Sequence, residues 1–107
     1  MKEIFEYNDL LIFLTDLLEH KKELNKNFSM RAWSKLLGYN FPSYLSQCLK
    51  GDRTANYGLI SKIIEREHFS KDEVDYLKFL YLKLLVRGET EICLNNLSNI
   101  VRTSISS

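Results

Sequence analysis

One proline and four glycines are all the strong backbone punctuation that this 107-residue chain carries. A β-sandwich needs turn chemistry every ~8–12 residues, so this scarcity argues against one and for a helical domain. At 45% hydrophobic and 27% charged, the chain is too apolar for disorder and too charged for a membrane protein. Its longest unbroken apolar runs, residues 10–14 and 79–82, fall far below the ~18–20 residues of a spanning helix. The length fits a single domain over 1–107. Glu3, Glu6 and Asp9 occupy the start, where a secretory signal would be basic and then apolar, so a cytoplasmic location is expected. In that compartment Cys48 and Cys93, which lack metal-ligand spacing, are expected as free thiols.

The net charge of +1 hides a gradient. Residues 1–19 set one lysine against five carboxylates, a net of −4, whereas residues 20–54 set seven cations against two acids, a net of +5. The remainder balances. A central basic segment suits a localised polyanion contact; the plainer reading is a solvated face that collects lysines.

Punctuation and periodicity divide the chain into helices. Asn8 or Asp9 can cap a first one running to about residue 25, with Leu10, Phe13, Leu14, Leu17, Leu18 and Leu24 on its apolar side. Lys21 and Lys22 in its last turns suit the helix dipole and solubility. Ser29 can cap a short second helix over 30–37, with Ala32, Trp33, Leu36 and Leu37 inward and Gly38 at the left-handed exit. Asn40 is another capping type, and Pro42 fits the first turn of a third helix that carries Leu45, Cys48 and Leu49 inward and ends at Gly51. Two short helices joined by a tight turn at 38–40 form a helix-turn-helix by spacing, over about residues 29–51.

Thr54 or Asn56 can cap a fourth helix carrying Leu59, Ile60, Ile63 and Ile64. Ser70-Lys71-Asp72-Glu73 reads as a capping box for a fifth, which Gly88 stops, and a sixth is expected over 89–102. The fifth is apolar on two sides. Val74, Leu77, Leu80, Tyr81, Leu84 and Leu85 form one stripe, and Phe79, Leu82 and Val86 a second. The preferred reading covers both stripes within the chain, under the first and sixth helices; the other is a homodimer through Phe79, Leu82 and Val86. The expected fold is therefore all-α, a compact bundle of five to six helices.

The stretch S-M-R-A-W-S-K-L-L-G (29–38) followed by S-Y-L-S-Q-C-L-K-G-D-R (43–53) resembles the Cro-type, lambda-repressor-like group of helix-turn-helix domains. More closely, with the flanks N-D-L-L-I-F-L and 70–84, it is similar to the N-terminal domain of a largely uncharacterised group of bacterial transcriptional regulators. The resemblance spans about residues 8–90. It implies a lambda-repressor-like fold and a DNA-binding regulator whose third helix reads the major groove, acting as a dimer. Two departures stand out. The turn is one residue longer than in phage repressors, so base-reading positions do not transfer one for one. Members of the group also continue into a larger second domain, so the chain is either a short stand-alone member or an incomplete one.

On that reading the outward positions of the third helix are Ser43, Tyr44, Ser46, Gln47 and Lys50. A carboxamide can bond adenine N6 and N7 together, which makes Gln47 the leading candidate for direct readout; otherwise it is a solvated helix residue. Ser43 and Ser46 suit a phosphate or a base edge, or are helix filler. Tyr44 either stacks on the nucleic-acid backbone or packs on its own domain. Arg31, Lys35, Lys50 and Arg53 are placed for phosphates, which position a protein without specifying sequence, although Lys35 also reads as a solvated residue. Trp33, Leu36, Leu45 and Leu49 are assigned to the core. His20 and His68 have no second ligand at helical spacing, no glycine-rich phosphate loop is present, and Cys48 has no histidine nearby in sequence, so no enzyme, metal or cofactor is expected. The competing functions are a protein-interaction module that keeps the scaffold without sequence-specific DNA binding, and a single-strand or RNA binder stacking on Tyr39, Phe41 and Tyr44.

Overall fold

Asp9 opens the first long element by accepting hydrogen bonds from the Leu11 and Ile12 amides, at 2.8 and 3.4 Å. In a computed structural model describing residues 1–87, this is α1, Leu10–Leu24, preceded by one 3-10 turn at Ile4–Glu6. It is followed by α2 (Met30–Leu36), α3 (Ser43–Lys50), α4 (Tyr57–Glu67) and α5 (residues 71–87). Every regular element among the described residues is a helix, with no strand, and together they form a small bundle. None of these helices is long and apolar enough to cross a membrane. The expected sixth helix, Cys93 and the Gly88 stop lie outside the described residues.

Local chemistry sets most boundaries. Ser29 accepts from the Ala32 amide, Asn56 from the Leu59 amide, and Ser70 and Glu73 exchange both bonds of a capping box. α2 and α3 end alike. Tyr39 N–H donates to Ser34 C=O and Gly38 N–H to Lys35 C=O, while Asp52 N–H donates to Gln47 C=O and Gly51 N–H to Cys48 C=O. These paired bonds require a left-handed residue after each helix, and Gly38 (φ +90°) and Gly51 (φ +83°) supply it. Asn40 caps nothing: Pro42 itself sits at the N-cap, with helical backbone angles, and its carbonyl accepts from Ser46 N–H.

The core joins Leu10 and Leu14 of α1, Trp33 of α2, Leu45 of α3, Leu59, Ile60 and Ile63 of α4, and Leu77 and Leu80 of α5. α3 packs against both α1 and α2. Three tyrosine hydroxyls stitch distant segments: Tyr7 donates to Asp16, Tyr76 to the Tyr7 carbonyl, and Tyr81 to the Ala55 carbonyl. Two expected core residues are on the surface. Leu36 is exposed because Leu37, four residues after Trp33, takes the inward place with Ser34 beside it. Leu24 is exposed at the final turn of α1. That end is tied down instead by Lys21, whose ammonium lies 2.8 Å from Glu67 at the end of α4.

On α5 the first stripe points into the core. The second does not: Phe79, Leu82 and Val86 are 50, 59 and 60% exposed. The start of α1 borders that stripe without covering it, leaving a groove of about 540 Å³ between Asn8–Leu10 and the outer side of α5.

Candidate nucleic-acid interface

α3 is docked by Leu45 and Cys48, both essentially buried, with Leu49 half-buried beside them. Burial of that side fixes which residues face out. Ser43, Gln47 and Lys50, spaced i, i+4, i+7, form an exposed polar line along the helix. Ser46 is half-buried on the α2 side of this line, where Ser29, Met30, Arg31, Phe41 and Pro42 share a shallow depression with it. Arg31 is exposed, and Lys35, one turn further along α2, is exposed as well.

The other flank of α3 is built from a column of rings and cations. Lys62 of α4 lies 4.4 Å from the centre of the Tyr39 ring. Tyr39 and Tyr44 stand 5.2 Å apart at 46° to each other, and the Arg53 guanidinium lies over the Tyr44 ring, 4.9 Å from its centre. Such contacts are favourable because a ring face carries negative charge density. The Tyr44 hydroxyl accepts from the Asn56 amide at 3.0 Å. Of its two readings, Tyr44 therefore occupies the one in which it packs on its own domain, and it seats Arg53. The loop that carries Arg53 is held at its far end by two hydroxyls, Tyr44 on Asn56 and Tyr81 on Ala55.

Charge follows the same geometry. Between residues 29 and 53 four cations face one carboxylate, Asp52. Lys21 and Lys22, counted in the basic segment, are instead paired with Glu67 and Glu19. Arg31, Lys35, Lys50 and Arg53 take part in none of the ion pairs formed among the described residues. The Cys48 thiol is buried, and burial pushes its pKa above the ordinary value, with Tyr44 and Arg53 pulling the other way. No group of three or more histidine, cysteine, aspartate or glutamate side chains that could hold a metal ion occurs among the described residues.

All eight sequence candidates thus lie on α2, α3 or the loop after α3, with Tyr44 serving as a support. Lys62 and Asn56 were missed as parts of the site. Lys62 meets Tyr39 across 23 positions of sequence, so no local spacing could have revealed the contact. Asn56 was legible as a cap; its amide bond to Tyr44 was not. No family model matches the chain, and neither a curated protein nor a solved structure matches it.

Proposed function

We propose that the protein is a DNA-binding transcriptional regulator that lays α3 in the major groove and binds as a dimer. One observation carries this reading: the exposed line Ser43–Gln47–Lys50 has Arg31 on one flank, across the depression shared with Ser43 and Ser46, and Arg53 on the other, over Tyr44, with Lys35 exposed one turn further along α2. A helix in that setting can offer hydrogen-bonding groups to base edges while the flanks hold phosphates. Gln47 is the base reader, with Ser43 and Ser46 beside it; Arg31, Lys35, Lys50 and Arg53 are the phosphate contacts. The exposed Phe79 and Leu82 of α5 supply the pairing surface, which would match a two-fold-related site.

The test is selection from a randomised duplex pool at two salt concentrations. An enriched palindrome is expected, with log affinity falling by about 0.9 per phosphate for each unit of log salt. Arg53→Ala should weaken binding to every sequence and flatten that slope by about one. Gln47→Ala should relax preference at one base pair, by ~1–3 kcal/mol. Without enrichment or salt-sensitive binding, the reading fails and the scaffold is a protein-interaction module.

A further inference from the structure

Phe41 is 72% exposed, the most exposed of the six phenylalanines. Its neighbours on either side behave differently: Tyr39 and Tyr44 pack against the core, and Met30 does the same from α2. The ring therefore forgoes burial that adjacent aromatics obtain, at a position two residues before α3 begins. It stands with Pro42, Met30 and the exposed Arg31 around the depression that also receives Ser43 and Ser46. An apolar ring, a cation and two hydroxyls are thus gathered at the N-terminal mouth of the reading helix.

In a helix-turn-helix docked on duplex DNA, residues at that mouth approach base edges most closely. The one apolar group that a base presents in the major groove is the C5-methyl of thymine. We infer that Phe41 is a specificity-determining residue that covers a thymine methyl at the leading end of α3, while Arg31 holds the adjacent phosphate. This rests on the DNA-binding reading above. It adds a hydrophobic contact to a site otherwise described by hydrogen bonds and charge.

The partner's chemistry makes the inference testable without altering the protein. In the duplex selected from the random pool, each thymidine is replaced in turn by deoxyuridine, which removes the methyl and leaves the hydrogen-bonding edge intact. The full chain should lose about fourfold in affinity at one or two positions per half-site, the value of one buried methylene-sized group. Phe41→Ala should bind the thymidine and deoxyuridine versions equally at those positions, with its helical circular dichroism unchanged. Salt-dependent binding by the parent with no loss on any deoxyuridine duplex would overturn the assignment of Phe41 and leave the DNA reading standing. A Phe41→Ala variant that weakens both versions equally, while thymidine keeps its advantage, would place the ring on the sugar-phosphate backbone and also overturn it. Absence of duplex binding by the parent would remove both readings together.

Discussion

α3 and α5 each bury one side in the same core and turn the other to the surface, yet the two outer sides differ in kind. Along α3 the outward line is Ser43, Gln47 and Lys50; along α5 it is Phe79, Leu82 and Val86. The first is at ease in water and offers directed donors and acceptors. The second loses free energy wherever water touches it, and it offers no direction, only area. On the proposed reading, the partner for α3 is polar and anionic, and its binding responds to salt. On the same reading, the partner for α5 is apolar, and its binding hardly responds to salt. One small core can therefore support two independent contacts, provided that each helix keeps its two sides apart.

The largest expected effect tests that separation on α3 itself. Leu45 is fully buried and Gln47, two residues on, is exposed. Leu45→Ala should cost ~2–5 kcal/mol of stability through lost burial and the cavity left behind. Gln47→Ala should leave stability within about 0.5 kcal/mol. Urea midpoints of the two variants make the comparison. A mild Leu45→Ala would mean that α3 is not held by its inner side, and the outward assignment of Gln47 would fall with it.

Next in size is the α5 surface. Leu82→Glu places a charge in the middle of the exposed stripe, so it should raise a dimer dissociation constant by tenfold or more while leaving helical content unchanged. Sedimentation equilibrium of the full chain reads this directly. If the parent is monomeric at tens of micromolar, or the variant remains dimeric, the stripe is not a pairing surface.

What the sequence revealed of the helices was local, although Asn40, a capping type, caps nothing. Ser29 and the Ser70–Glu73 box were legible as caps, and Asp9 and Asn56 each as one of two candidates, because a cap is a relation between residues at most three apart. Gly38 and Gly51 were legible as exits for the same reason. Of the five outward positions that followed from the inward spacing of Leu45, Cys48 and Leu49, Ser43, Gln47 and Lys50 are exposed, whereas Tyr44 and Ser46 are half-buried. Contacts between distant segments were not legible: Lys21 on Glu67, Lys62 on Tyr39, and Tyr81 on the Ala55 carbonyl all join residues 23 or more positions apart. Leu36 failed for a subtler reason. Both Leu36 and Leu37 fit an apolar side of so short a helix, and only packing around Trp33 chose between them.

A pH experiment examines the ring column on the α3 flank. Burial is the first cause that raises the pKa of Tyr39, Tyr44 and Tyr81 above 10.0, and of Tyr7 as well, where the Asp16 carboxylate adds to it. Above about pH 10 the unfolded chain therefore loses these protons before the folded one does. The unfolded state then binds fewer protons, so stability is intact below that pH and falls as pH rises through it. Urea midpoints should drop above about pH 10. Tyr39→Phe should lessen the drop; an unchanged alkaline limb would mean that Tyr39 is not buried in the column.

The smallest effect compares two serines of α2 that differ as the two helix sides do. Ser29 caps the helix, its hydroxyl accepting from the Ala32 amide at 3.1 Å, so Ser29→Ala should cost about 1 kcal/mol. Ser34 is buried beside Trp33, and neither its hydroxyl nor the indole N–H has a hydrogen-bond partner among the described residues. A buried hydroxyl without a partner was stripped of water for nothing in return, so removing it should restore what its desolvation cost. Ser34→Ala is therefore expected to leave the urea midpoint unchanged or raise it, by at most about 1 kcal/mol. A loss as large as that of Ser29→Ala would show that Ser34 does bond within the core. The inner side of α2 would then be held by a polar contact as well as by Trp33 and Leu37.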